Sequence, residues 1–174
     1  YLSEQFDQLL YKYPNIKFIE NPAYNEANNI SSAMCVRYLL NNAYVCEGDI
    51  LLHNPKIIQK YQYKSNYCGI KCDRTDDWCL FENKGRITGY AVGGENCHQM
   101  MGISYWTEED GRKLGDCIKK VYEMPGGKER YWDQVALGYY VEDFDISIRE
   151  CSFDDFIEID TFNELKAIDK IYDV

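Results

Sequence analysis

The sequence predicts one α/β domain built on a mixed sheet. Three observations carry this. Strand-like and helix-like segments alternate through the first half of the chain, which is the pattern of strands joined by helical crossovers. The middle is instead rich in short strands joined by polar turns, so part of the sheet is antiparallel. The length of 174 residues and the hydrophobic content of 45% suit a single core of ordinary size.

In chain order, Ser3 to Tyr11 reads as a short helix with Phe6, Leu9 and Leu10 on one side, ended by Pro14. Residues Ile16 to Ile19 read as a strand, and Asn21-Pro22 marks a turn. A polar loop over Asn25 to Asn29 leads into a helix from Ile30 to Leu40, with Asn29 or Ser31 as its N-cap. The segment Ala43 to Cys46 reads as a short buried strand that ends at Glu47-Gly48-Asp49. A helix is expected after Asn54, with Pro55 at its favoured first position.

Strands are then expected over Tyr67–Cys72, Trp78–Glu82, Arg86–Val92 and Met100–Trp106. Lys84-Gly85 is a hairpin signal between the second and third. Thr107 with Glu108, Glu109 and Asp110 opens a helix running to Tyr122, its acids favoured at the positive end of the dipole. Pro125-Gly126-Gly127 breaks it, and Arg130 to Gly138 reads as helical. Strands follow at Asp145–Arg149 and Phe156–Ile159. Thr161 and Glu164 then form a capping box for a last helix bearing Leu165, Ile168 and Ile171 on one face.

Charge and composition exclude several functions. The net charge of −10 repels phosphate backbones, so generic nucleic-acid binding is not expected. No apolar run approaches about 20 residues, so no membrane span is expected, and no signal-peptide pattern opens the chain. Eight cysteines without an export signal read as reduced thiols, which implies the cytoplasm. Cys68 and Cys72 lack a second ligand pair at zinc-site spacing.

Four features could carry chemistry. Asp49 lies just past a strand end, where α/β folds place their ligand crevice; it reads as a Mg²⁺ ligand or as an ordinary polar turn. Asp160, just past the strand ending at Ile159, reads as a second carboxylate for the same ion or as a helix start. Trp78, Tyr131 and Trp132 lie beside acids, including Asp133. They suit a cage for a quaternary ammonium ion, or plain packing. Asn28, Asn29 and Ser31 offer donors and acceptors for a pyrimidine edge or a phosphate, or simply cap a helix.

Taken in order, seven short stretches resemble bacterial CTP:phosphocholine cytidylyltransferases. They are Tyr1–Asp7, Asn21–Ser32, Tyr44–Asp49, Asp77-Trp78, Gly102–Trp106, Tyr131–Asp133 and Glu158–Asp160. The resemblance implies a three-layer, Rossmann-like α/β fold of the sugar-nucleotidyltransferase, glycosyltransferase-A-like type. It implies formation of CDP-choline and pyrophosphate from CTP and phosphocholine. Asp49 and Asp160 would hold Mg²⁺, and Asn28, Asn29 and Ser31 would lie by the nucleotide. Trp78, Tyr131, Trp132, Asp133 and Glu158 would receive the choline head. The product would be CDP-choline for bacterial surface polysaccharide.

Family members open with a strand and a Gly-rich, Arg-containing loop that holds the triphosphate. The sequence supplies neither, so residues 1–174 are expected to be one nucleotidyltransferase domain, N-terminally incomplete, with self-association or a fused domain as possible partners. Two further readings stand beside the first: the same transfer onto 2-aminoethylphosphonate or another phospho-amine, and a non-catalytic choline- or nucleotide-binding module.

Overall fold

The protein is described by a computed structural model over residues 3–172. A short helix α1 (Asp7–Lys12) precedes α2 (Ile30–Val36), β1 (Ala43–Cys46) and β2 (Ile50–Leu52). Two long strands follow, β3 (Asn66–Asn83) and β4 (Arg86–Trp106), then α3 (Glu108–Glu123). The chain closes with β5 (Ser147–Glu150), β6 (Phe156–Glu158) and α4 (Phe162–Ile168).

The main sheet has the order β1-β4-β3-β5, and β2 and β6 form a separate antiparallel pair. β4 runs antiparallel to both β1 and β3, whereas β5 runs parallel to β3, so the sheet is mixed as the sequence predicts. Both of its faces are covered. On one, α2, α3 and the 132–146 segment bury Tyr67, Leu80, Trp106, Leu114, Ile118 and Phe144. On the other, Cys68, Ile70, Met101 and Ile103 pack beneath Ile57 and Phe156. Because residues two apart share a face, this double covering makes 65–70 and 101–106 continuously buried.

Layer contact on the helical side is close. A Cβ on Gly111 would lie 2.6 Å from the Asn41 Cα, and one on Gly115 would lie 3.3 Å from the Arg37 carbonyl carbon. These two glycines, one turn apart, let α3 lie against the backbone that follows α2.

Several elements differ from expectation. The four middle strands are two, because Cys72↔Cys97, Arg74↔Glu95 and Thr75↔Gly94 continue the ladder through residues whose polarity suggests loops. Polar side chains on an exposed stretch of ladder leave no apolar alternation to read. A register shift between Thr75 and Trp78 marks where β3 bends. Beyond it, Cys79 and Leu80 pair with Ala91 and Tyr90 on one side and with Gln99 and His98 on the other. The hairpin turn sits at Lys84-Gly85 as predicted, both residues with positive φ.

Residues 16–19 pair with no strand among the described residues, and Phe18 and Ile19 are exposed. The expected helix at Pro55 is one 3-10 turn, Pro55–Ile57, capped by the Asn54 side chain. The 130–138 segment is a turn followed by a π-helical stretch, Val135–Tyr139. α4 has its capping box but no buried residue, and Ile171 lies beyond its end and is exposed. The eight cysteines are free thiols. No helix among the described residues is long and apolar enough to cross a membrane.

Candidate active site

The site forms where β1, β4 and the β2–β6 pair meet. Past β1, the Glu47 N–H donates to the Gly102 carbonyl at 2.8 Å, which carries the ladder one residue further. The Glu47 side chain then lies over Gly102, where a Cβ would come within 2.6 Å of its Cδ and 2.8 Å of its Cγ. A larger residue at 102 would displace the Glu47 side chain from this position. Asp49 begins the turn into β2, and its carbonyl accepts the Ile159 N–H at 2.9 Å. β2 pairs with β6 so that Ile50 stands opposite Glu158.

This pairing brings Glu47, Asp49 and Glu158 together, with one carboxylate oxygen of each within 4.8 Å of the others. Partial burial, then the charges of Asp133, Asp49 and Asp160, push Glu47 up to about 7. Partial burial, then Asp160, Glu47, Asp49 and Asp77, push Glu158 up to about 7. Asp160 is exposed and lies outside the group of three, its backbone N–H bonded to the Glu164 carboxylate. Glu47 is the member whose role the residue-level reading left unassigned, although it shares the motif with Asp49.

Next to the carboxylates stands an aromatic corner. Trp78 stacks on Tyr90 at 5.3 Å and 17°, and meets Tyr131 at 5.3 Å and 65°. Gln134 braces it, accepting from the Tyr131 N–H at 3.0 Å and donating to the Tyr90 hydroxyl at 2.9 Å. Asp77 accepts the Trp78 N–H at 2.7 Å and is reached by Gln99 at 3.4 Å. Tyr90 and Gln134 gave no sequence signal. Their neighbours are ordinary, and only the fold brings residues 44 positions apart into contact.

Tyr131 and Trp132 diverge. Tyr131 is exposed and faces the corner, whereas Trp132 is buried between Tyr67, at 6.4 Å, and Trp106, at 6.1 Å. Trp132 therefore packs beside the corner rather than walling it. Asp133 is 4% exposed and accepts the Tyr67 hydroxyl at 2.5 Å. Burial raises the Asp133 carboxyl to about 6 even though the Tyr67 bond lowers it. Burial, then the Asp133 charge, push the Tyr67 phenol well above its ordinary value, so it remains the donor.

The asparagines clamp this segment. Asn29 Oδ1 accepts the Trp132 N–H at 2.9 Å, and Asn28 reaches Lys128 and Glu129. Ser31 is buried and bonded to the Asn28 carbonyl.

Two cavities result. A polar one of about 270 Å³ is lined by Glu47, Asp49, Asp77, Trp78, Met100, Gly102, Tyr131, Asp133, Glu158 and Asn29. A more apolar one of about 370 Å³ lies between α2 and β1. Its lining includes Ile19, Asn21, Ser32, Ala33, Val36, Leu40, Val45 and Trp132. Asn29 and Glu47 line both, so the cavities adjoin.

The fold is shared with solved nucleotidyltransferases. A CTP:phosphocholine cytidylyltransferase from Streptococcus pneumoniae superposes with a TM-score of 0.86 at 25% identity, over 98% of this chain and 75% of that one. No family model matches the chain. A 2-aminoethylphosphonate cytidylyltransferase of Lancefieldella rimae is 32% identical over 99% of this chain and 71% of its own length. A choline-phosphate cytidylyltransferase of Haemophilus influenzae is 26% identical over 97% of this chain and 72% of its own. The chain belongs to this family of cytidylyltransferases, with the sugar-nucleotidyltransferase fold.

Proposed function

We propose that the protein transfers CMP from CTP to the phosphate oxygen of phosphocholine, releasing pyrophosphate. The observation that carries this reading is the Trp78–Tyr131 corner set directly beside the Glu47, Asp49 and Glu158 carboxylates in one cavity. A trimethylammonium group has no donors and is weakly hydrated, so it gains most from aromatic faces backed by negative charge. Asp77 and Asp133 supply that charge in the same cavity walls.

In the reaction a phosphocholine oxygen attacks the α-phosphorus of CTP as the bond to the β-phosphate oxygen breaks. The electron pair and negative charge leave with pyrophosphate. No protein nucleophile is required, and the chain's contribution is to hold the two anions in line. The amide and hydroxyl groups of Asn21, Asn29 and Ser32 at the rim of the apolar cavity suit the nucleotide, which then meets the amine substrate at the Glu47–Asn29 boundary. Asp49, with Glu47 and Glu158 around it and Asp160 at the rim, offers the hard oxygen donors that fit Mg²⁺. When bound there, Mg²⁺ would neutralise phosphate charge at the reacting centre.

A second substrate has support of its own. Two aromatic walls and five carboxylates also suit a primary ammonium, whose three N–H donors want acceptors. The Lancefieldella relative acts on 2-aminoethylphosphonate by its name. The test is pyrophosphate release with CTP and Mg²⁺, run in parallel with phosphocholine, phosphoethanolamine and 2-aminoethylphosphonate. Release with phosphocholine alone is the expected result. Release with only an amine keeps the reaction and discards the trimethylammonium site, and release with none removes the proposal.

A further inference from the structure

We propose that Tyr67 is a positioning residue for the substrate's cationic head, acting through its hydrogen bond to Asp133. This rests on the amine-substrate reading above. Tyr67 is fully buried on β3, its ring stacked against Trp132 at 22°. Its hydroxyl reaches Asp133 Oδ1 at 2.5 Å and is the one side-chain donor on that carboxylate among the described residues. Asp133 is itself almost fully buried, yet it lines the polar cavity together with Trp78 and Tyr131.

A buried carboxylate without a strong donor is costly and turns to whatever partner it can find. The Tyr67 hydroxyl removes that freedom. With Oδ1 engaged from beneath, the carboxylate is held in the cavity wall, facing the place where the aromatic corner would receive an onium group. Asn29 fixes the same turn from the other side by accepting the Trp132 N–H. The β3 phenol and the Asn29 amide before α2 therefore set where the negative charge stands relative to Trp78. A purely structural Tyr67 would lose stability without its oxygen, but cation and uncharged isostere would then weaken alike.

The test compares wild type with Tyr67→Phe, Asp133→Asn and the double variant, each in the full-length protein. Tryptophan fluorescence follows titration with choline chloride and with 3,3-dimethylbutanol, its uncharged isostere. Ethanolamine and 1-propanol form the matching pair for a primary amine. Pyrophosphate release is measured alongside, giving KM for the amine substrate and for CTP.

Loss of a hydrogen bond to a charged group predicts about tenfold weaker binding of the cation in Tyr67→Phe, with the isostere unchanged. KM for the amine substrate should rise with it while KM for CTP stays. The double variant should be no worse than Asp133→Asn, since both remove one interaction. Equal weakening of cation and isostere, or no change in either, overturns the proposal; so does additivity of the two variants. Selective loss of cation binding in a protein that releases no pyrophosphate would keep this inference and sink the catalytic reading. A wild type that binds neither cation would sink both.

Discussion

The two adjoining cavities are built from opposite materials. Three walls of the polar cavity are each held by a named partner: Trp78 by Tyr90, Tyr131 by Gln134 and Asp133 by Tyr67. The apolar cavity lies between α2 and β1, the outer strand of the main sheet among the described residues, and Ala33, Val36, Leu40 and Val45 contribute to its lining. A cavity whose walls are braced selects by geometry and charge. One lined by aliphatic side chains at a sheet edge selects by shape and burial, with its few amides at the rim. Under the proposed function, specificity for the small charged substrate would then fall to the first, and mainly bulk binding to the second.

The sharpest break in that comparison is at the carboxylates. Asp49→Asn and Asp160→Asn should each lower Mg²⁺-dependent kcat/KM by at least about 100-fold, with far-UV circular dichroism unchanged, if they meet the ion and its phosphates. Wild-type turnover in Asp160→Asn would remove that residue from the metal site and leave Glu47, Asp49 and Glu158 alone. The two variants thus separate the pair expected from sequence from the trio that the fold assembles.

That separation shows what was legible. The strand Ala43–Cys46 and its acidic turn, α3, the Lys84-Gly85 hairpin and the Thr161 capping box are local features. Each is dictated by residues within a few positions, and each appears, although the strand is half-buried with Cys46 exposed rather than buried as expected. The trio depends on β2 pairing with β6, which sets Glu158 beside Asp49 across about 100 residues of chain, and β2 is only three residues long. No local pattern announces such a strand. Likewise, Tyr131 and Trp132 are neighbours with similar chemistry, and only their packing sends one to the corner and the other to the core. The aromatic-plus-acid composition of the site could be read; which aromatic faces it could not.

The next effect falls on the polar cavity alone. Trp78→Ala removes one aromatic wall and should raise KM for the amine substrate about tenfold, with KM for CTP within twofold. Trp78→Phe should recover part of the loss. An equal rise in both constants would mean that Trp78 supports the whole site rather than the cationic head.

The complementary variant is Ser32→Trp, which places bulk at the mouth of the apolar cavity from an exposed position on α2. KM for CTP should rise about fivefold while KM for the amine substrate holds, since lost burial of part of a nucleotide costs affinity at that order. If the amine constant moves instead, the assignment of the two cavities is reversed.

The smallest effect tests the electrostatics without a mutation. Glu47 and Glu158 sit near 7, raised from 4.5 by burial and by neighbouring carboxylates. A carboxyl whose folded value is raised binds more protons in the folded chain than in the unfolded one. Its contribution to stability is therefore full below 4.5 and is lost as pH climbs to about 7. Mg²⁺ binds the ionised forms and offsets their repulsion, so its stabilisation must grow over the same interval. Melting curves with and without Mg²⁺ should coincide at about pH 5 and separate by a few degrees at about pH 8. In Glu47→Gln the separation should shrink. A separation that is constant with pH would place the ion away from these carboxylates, and the polar cavity would then be a cation site for the substrate alone.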